Sequence, residues 1–197
     1  MIPLAEAPPL DPGRVRDPLR VLYGDLDAAV KRFGPSCELS GRCCRFAEYD
    51  HTLFVSAPEM SILLADAPPP SRPLDDGETC PWQDLKGRCT AREARPLGCR
   101  VYYCDPTYQD HAHALSEVFL GRLKRLIDEM ELPWNYAPLH HHLRQAEAEG
   151  RFPSRADRAK DGHRAGHFGL TLLQATNTVE PIDVRNGPIV PPGRPPS

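Results

Sequence analysis

Apolar residues recur at helical spacing in two long stretches of the chain. In residues 14–33 they fall three and four positions apart, and Gly34 follows directly, which predicts an amphipathic helix with a defined end. The same spacing in residues 110–131 predicts a second helix of similar length. A shorter helix is predicted over residues 138–148, because Gly150 interrupts the pattern there.

Shorter patterns between the two long helices predict capped turns and strands. The serine and glutamate of residues 56–59 have the spacing of a capping box, and the apolar residues 52–55 before them indicate a short strand. Residues 90–93 have capping-box spacing too, which predicts one or two helical turns. Residues 84–87 indicate a hairpin turn, and residues 99–103 a strand. The predicted fold is a small, helix-dominated α+β domain with an irregular cysteine-rich segment and a few short strands.

Proline marks the ends of the predicted folded region. The chain has 23 prolines in 197 residues, well above the usual share, and they are concentrated towards both ends. We therefore predict a disordered leader over residues 1–13 and a folded domain over residues 14–150. Residues 151–197 are predicted to form a proline-rich tail that is largely without a core of its own.

Charge and hydropathy narrow the class of partner. A formal net charge of −3 gives no electrostatic reason to expect nucleic acid or an anionic membrane. The first residues lack the basic and apolar regions of a secretory signal, and no apolar run approaches the roughly 20 residues of a membrane span. We therefore expect a cytoplasmic protein with no nucleic-acid or membrane partner. The charge and hydropathy are compatible with a protein partner or a protein substrate.

All the cysteines of the chain fall in one segment, and this concentration indicates a shared role. The positions are Cys37, Cys43, Cys44, Cys80, Cys89, Cys99 and Cys104. In a reducing cytosol thiols are more often metal ligands than disulfides, and an odd number fits a closed disulfide framework poorly. Buried, unreactive thiols in a small core are the alternative. We predict that all seven belong to a metal-binding segment.

The spacing of the cysteines favours an iron–sulfur cluster, with the 4Fe–4S type preferred, over Zn²⁺. No CxxC knuckle, which is typical of structural zinc sites, is present. Iron–sulfur clusters accept irregular spacing, and Gly41, Gly87 and Gly98 stand close before cysteines, where they would let backbone amides approach sulfur. Cys43 and Cys44 can serve one centre only if the backbone turns sharply between them. Zn²⁺ remains the alternative cofactor.

Two arginines flank one cysteine and are candidates for a supporting role. Arg95 and Arg100 lie on either side of Cys99, where a guanidinium would offset the negative charge of thiolates and donate to sulfur. An ordinary ion pair with Glu93 or Asp105 is the alternative. The sequence contains no Ser-His-Asp set, P-loop or paired-carboxylate motif, so catalytic residues are unknown and enzymatic activity is left open.

The cysteine segment resembles the YkgJ-like cysteine-cluster family, which is described as chelating zinc or iron through a CxxCxxCC signature. The residues that match the signature are Cys37, Cys43 and Cys44, at its first, third and fourth cysteines, with Gly41 at its glycine. Two other elements match, a Gly-x-Cys at residues 87–89 and an Arg-Pro-x-x-Cys-Arg at residues 95–100. The resemblance covers about residues 34–105.

One signature position departs from the family pattern, because Ser40 stands where the second cysteine is expected. Seven cysteines cannot form two four-thiolate sites, so one four-cysteine centre with three other thiols is the simpler expectation. Some members of the family form part of flagellin lysine methylases, and an iron–sulfur cluster is implied there. Since the sequence has no GxGxxG pattern, methylase activity is not expected. Two hypotheses follow: a cluster protein in a redox or protein-modification accessory role, or a structural zinc module that mediates protein interaction without turnover.

Overall fold

The computed structural model describes residues 10–153. This part of the chain holds five α-helices and one two-stranded antiparallel sheet, which confirms a small, helix-dominated α+β domain. In chain order the elements are α1 (Pro12–Phe33), β1 (Phe54–Ser56), α2 (Ala57–Asp66), α3 (Leu97–Val101), α4 (Gln109–Glu129), β2 (Tyr136–Pro138) and α5 (Leu139–Ala148). No helix among these residues is long and apolar enough to cross a membrane.

Helix α1 has clear signals at both ends. The side chain of Asp11 accepts a hydrogen bond from the backbone amide of Gly13 at 2.9 Å, and Pro12 occupies the first helical position, where its missing amide costs nothing. Gly34 ends the helix in the left-handed conformation with a φ of 59°. The helix predicted over residues 14–33 is confirmed, but it begins two residues earlier, inside the predicted leader. Residues 1–9 lie outside the described part.

The capping box before α2 is confirmed, and its glutamate does more than cap. Ser56 donates to the Glu59 carboxylate through its amide at 2.9 Å and its hydroxyl at 2.8 Å. The buried carboxylate also accepts from the Tyr23 hydroxyl at 2.9 Å and from the Leu97 amide at 2.8 Å. Glu59 therefore joins α1, the start of α2 and the start of α3 through charge-assisted hydrogen bonds.

Two predicted elements are wrong. Residues 99–103 were expected to form a strand, but Cys99 lies in α3, whose first amide is held by Glu59 from a distant part of the chain. Residues 90–93 form a turn rather than a capped helix, because the Thr90 hydroxyl donates to the Trp82 carbonyl at 3.0 Å instead of capping. In both places a long-range hydrogen bond overrides the local propensity.

The small sheet fixes where two helices begin. In the antiparallel register Phe54 pairs with Pro138 and Ser56 with Tyr136. The first strand leads directly into α2 and the second directly into α5. The strand predicted over residues 52–55 is therefore found one to two residues later, while the helices predicted over 110–131 and 138–148 agree with α4 and α5 within two residues.

Buried apolar side chains form two clusters. The first core joins α1, α3 and α4, with Leu19, Leu26, Leu123 and Ile127 almost fully buried. The second core joins α2, α5 and the cysteine loops; its members include Phe46, Val55, Trp82, Leu139, Leu143 and Phe152. The Phe152 ring lies 5.8 Å from that of Trp82, so the chain contributes to the second core beyond the predicted boundary at residue 150. Residues 154–197 of the predicted tail lie outside the described part.

Candidate functional site

All seven cysteines line one cavity of about 300 Å³. Cys37, Cys43 and Cys44 come from the loop after α1, and Cys80 and Cys89 from the long loop between α2 and α3. Cys99 lies on α3, and Cys104 follows that helix. All of them are free thiols. Positions that are up to 67 residues apart in sequence are thus brought to one place.

The adjacent cysteines face the same cavity because the backbone turns between them. Residues Arg42–Cys44 form a short 3-10 helix, preceded by Gly41 with a positive φ of 70°. The amide of Cys44 donates to the Gly41 carbonyl at 3.0 Å, and the two sulfur atoms of Cys43 and Cys44 lie 3.9 Å apart. The sharp turn required for both thiols to serve one centre is present.

Gly41 is also the point where two cysteine loops meet. A Cβ atom at Gly41 would lie 2.2 Å from the Gly87 carbonyl oxygen and 2.5 Å from the Gln83 side-chain nitrogen. The buried amide of Gln83 donates to the Gly41 carbonyl at 3.0 Å and to the Gly87 carbonyl at 3.4 Å. This bridge holds the loop of Cys43 and Cys44 against the loop of Cys89. Sequence reasoning missed Gln83, because a single glutamine near a turn carries no recognisable pattern.

Three thiols gather around Cys44, and we call the four together the inner thiol group: Cys43, Cys44, Cys80 and Cys89. Interactions with the sulfurs of Cys43, Cys80 and Cys89, together with burial, raise the pKa of the Cys44 thiol far above the ordinary range. Hydrogen bonding with Cys44 lowers the pKa of Cys43 to about 7 and that of Cys89 to about 6. Near neutral pH the group therefore combines thiolates with a protonated thiol at its centre.

Cys99 lies close enough to the inner thiol group for the charges of those thiols to affect its pKa. Burial raises the pKa of the Cys99 thiol, and the negative charges of Cys80 and Cys43 raise it further. Arg95 lines the cavity beside it and donates to the Cys99 carbonyl at 3.5 Å. The positive charge of Arg95 lowers the pKa of the neighbouring thiols, although hydrogen bonding and burial are larger influences.

Arg100 does not line the cysteine cavity. Its guanidinium pairs with Asp27 on α1 at 2.7 Å and donates to the Glu93 carbonyl at 2.6 Å. It also lies 4.4 Å above the Tyr23 ring. Of the two expectations for this residue, the geometry fits the ion pair, although its partner is Asp27 rather than Glu93 or Asp105.

Two other arginines, which sequence reasoning missed, line the cavity with exposed side chains. Arg88 and Arg92 precede and follow Cys89, and the positive charge of Arg92 contributes to lowering the pKa of that thiol. Neither guanidinium pairs with a carboxylate among residues 10–153. Both lie in a loop without periodic pattern, so nothing in the sequence distinguished them from other surface arginines.

In the part of the chain that the structure describes, Cys37 and Cys104 form no hydrogen bond with the inner thiol group, and we call them the outer thiol pair. The sulfur of Cys104 lies 3.3 Å from the Ser40 hydroxyl. On the other side of Cys37, Ser36 donates to the Asp105 carboxylate through its amide at 3.1 Å and its hydroxyl at 3.3 Å. The serine at the second signature position is therefore the residue that contacts Cys104.

The donor set is chemically suited to a thiolate-ligated centre, because sulfur is the ligand of both iron–sulfur clusters and structural zinc. The walls between the thiols are apolar, formed by Leu53, Leu63, Trp82 and Leu139, and such walls limit the access of water to sulfur. No group of three His, Cys, Asp or Glu side chains in the described range is already arranged to hold one metal ion.

Comparisons with protein-family models, curated proteins and solved structures gave no match to this chain. The resemblance to the YkgJ-like cysteine-cluster family therefore stays a prediction based on the residues that carry it.

Proposed function

We propose that this chain is a metal-binding cysteine-cluster protein that carries an iron–sulfur cluster, with the 4Fe–4S type favoured, in a redox or protein-modification accessory role. The observation that carries the proposal is the inner thiol group. The side chains of Cys43, Cys80 and Cys89 converge on Cys44 within one apolar-walled cavity. A cytoplasmic location belongs to the same proposal, because thiols remain reduced there.

The residues that would hold the cluster are Cys43, Cys44, Cys80 and Cys89. When bound, such a cluster supplies one-electron transfer at a potential set by its surroundings. Cys43 and Cys89, whose pKa values are lowered to about 7 and about 6, are prepared to bind as thiolates. Cys44 must release its proton on binding, so uptake of metal is coupled to proton release.

The arginines adjust the charge of this centre. Four thiolates concentrate negative charge in a site with apolar walls, where it is poorly screened. Arg95 lines the cavity, and Arg92 reaches it from the surface. Their positive charges would favour the bound thiolates and make an attached cluster easier to reduce.

A structural zinc module that mediates protein interaction without turnover is the second candidate. The same four thiols support it, because four cysteines match the number of ligands in a tetrahedral zinc site. The irregular cysteine spacing, which lacks a CxxC knuckle, favours the cluster instead.

Protein isolated without oxygen distinguishes the two candidates. The cluster proposal expects brown protein with iron and acid-labile sulfide in near-equal amounts, which bleaches in air. Colourless protein with stoichiometric zinc that is stable in air would establish the structural module instead.

Variants test the assignment of ligands. Cys44→Ser should lose the iron because Cys44 is central to the inner thiol group. Cys37→Ser is the matched control, since it removes one thiol from the same cavity but outside that group, and it should retain the iron. Loss of iron from both variants would show that the ligands are not those of the inner thiol group.

A further inference from the structure

The outer thiol pair differs from the inner thiol group in access to solvent. Of the seven cysteines, all of which lie in the described part of the chain, only Cys37 is exposed. Cys104 is partly buried, and its sulfur contacts the Ser40 hydroxyl rather than another thiol. Both line the same cavity. The pair therefore presents one accessible thiol and one sheltered thiol at the same cavity.

Hydrogen bonds hold the chain segments of the two thiols together. Ser36, which precedes Cys37, donates to Asp105, which follows Cys104, at 3.1 and 3.3 Å. The contact from Ser40 to Cys104, at 3.3 Å, fixes the other end of the same loop. The loop that carries Cys37 is thus fastened on both sides of that residue to the segment that carries Cys104.

We propose that Cys37 and Cys104 form a second, redox-active site that takes a disulfide as its substrate. The site lies beyond the proposed metal centre and needs no metal. In the first step the Cys37 thiolate attacks a substrate disulfide, which forms a mixed disulfide on Cys37 and releases one substrate thiolate. In the second step the Cys104 thiolate attacks the Cys37 sulfur and releases the other substrate thiolate.

The balance of this exchange is complete without another reactant. The two cysteines lose two electrons and two protons and form one disulfide, while the substrate disulfide gains them and becomes two thiols. The order of the steps follows from access, because a disulfide from solution can reach exposed Cys37 first. Ser40 contacts the Cys104 sulfur at 3.3 Å and would hold it in place for the second step.

Peptide mapping can test the site because each thiol falls on a different fragment. Cleavage after lysine and arginine releases Cys37 on residues 33–42 and Cys104 on residues 101–122, separate from every other cysteine. Metal-bound protein is treated with glutathione disulfide without oxygen and then mapped. We expect these two fragments to be linked, glutathione to be released, and the metal content to be unchanged.

Three variants resolve the steps. Cys104→Ser should stop after the first step and keep glutathione on Cys37, while Cys37→Ser should form no link at Cys104. Ser40→Ala keeps both thiols and should slow the linkage several-fold without changing its position. A stable mixed disulfide on the native protein, or a link from Cys37 to a cysteine of the inner thiol group, would overturn the proposal. So would loss of metal from Cys37→Ser or Cys104→Ser.

The test of the disulfide site and the test of the metal centre can fail separately. Protein that contains no metal but forms the link between Cys37 and Cys104 would contradict the metal centre alone. Protein that contains the cluster but forms no link would contradict the disulfide site alone.

Discussion

Gly41 combines a positive φ of 70° with a space that is closed by the Gly87 carbonyl and the Gln83 amide. Gly41→Ala should therefore separate the two cysteine loops, since a Cβ would lie 2.2 Å from the Gly87 oxygen. We expect the free energy of unfolding to fall by roughly 1–3 kcal/mol and metal to be lost from the purified variant. Denaturant unfolding together with metal analysis measures both effects.

Gly24 offers a matched control on the exposed face of α1. A Cβ there meets nothing within 4 Å, and alanine in a helix interior is favoured over glycine by about 0.5–1 kcal/mol. Gly24→Ala should therefore keep its metal and become slightly more stable. Equal behaviour of the two variants would show that the Gly41 contact does not hold the cavity closed.

The Cys89 thiol allows a pH test of the inner thiol group in metal-free, reduced protein. Its pKa is lowered to about 6 by hydrogen bonding with Cys44, and only the thiolate is alkylated. Alkylation at Cys89 should therefore rise through pH 6 and be nearly constant from about one unit above the pKa. Mapping of the fragment at residues 89–92 gives the rate. A midpoint near the ordinary value of 9.0 would contradict the arrangement.

Among the elements, α3 begins at a backbone amide that a distant side chain, Glu59, binds. Glu59 accepts from Tyr23 and Leu97 at one carboxylate oxygen and from Ser56 at the other. In Glu59→Gln one oxygen becomes an amide nitrogen, so the backbone amide of either Leu97 or Ser56 loses its acceptor. We expect a loss of about 1–3 kcal/mol in the free energy of unfolding, measured by urea denaturation.

Tyr23→Phe is the control for this interaction. It removes one donor but leaves both backbone amides paired with Glu59, so its cost should be smaller than that of Glu59→Gln. A Glu59→Gln variant as stable as the native protein would show that the carboxylate does not hold α3 in place.

The elements also show which features a sequence can predict. The capping box of Ser56 and Glu59 was recognisable because both partners lie within four residues. The conformation of residues 99–103 was not recognisable. Helix α3 begins where the Leu97 amide donates to Glu59, which lies 38 positions earlier in the chain. Local spacing predicts local hydrogen bonds, while long-range ones depend on the assembled fold.

The candidate site shows the same contrast between local sequence patterns and long-range contacts. A shared role of the seven cysteines was inferred from their concentration in one segment; they line one cavity, while metal binding stays a prediction. Gln83, Arg88 and Arg92 were not predicted, because their roles arise only when separate loops meet. The distinction between the outer thiol pair and the inner thiol group likewise depends on which segments the fold places side by side.

For the molecule as a whole, the two cores should respond differently to removal of metal. The first core lies between α1, α3 and α4, while the second contains Cys44, Cys80 and the walls of the cavity. We expect chelation to speed hydrogen exchange in the second core, for example at the Cys80 amide, which donates to the Cys44 carbonyl at 2.8 Å. Amides within α1 and α4 should stay protected. Identical exchange with and without metal would contradict the coupling of ligation to folding.

Phe152 determines where the chain can be shortened. Its ring is 3% exposed and packs beside Trp82. A chain ending after Pro153 should keep its fold and metal, whereas one ending at Gly150 should lose about 3–5 kcal/mol, the usual cost of removing a buried phenylalanine side chain. Thermal unfolding compares the two. Equal stability would show that Phe152 contributes nothing to the second core.

The position of Leu139 in the cavity wall has a consequence for synthesis of the chain. Leu139 lines the cavity, and Phe152 packs beside Trp82, another residue of the wall, yet both Leu139 and Phe152 are translated after the last cysteine. At roughly 5–20 residues per second, about 2–10 s pass between the synthesis of Cys104 and that of Phe152. During that interval the nascent chain carries every thiol of the site without its closing wall. We therefore expect the ribosome-bound chain to accept metal more readily than the finished protein.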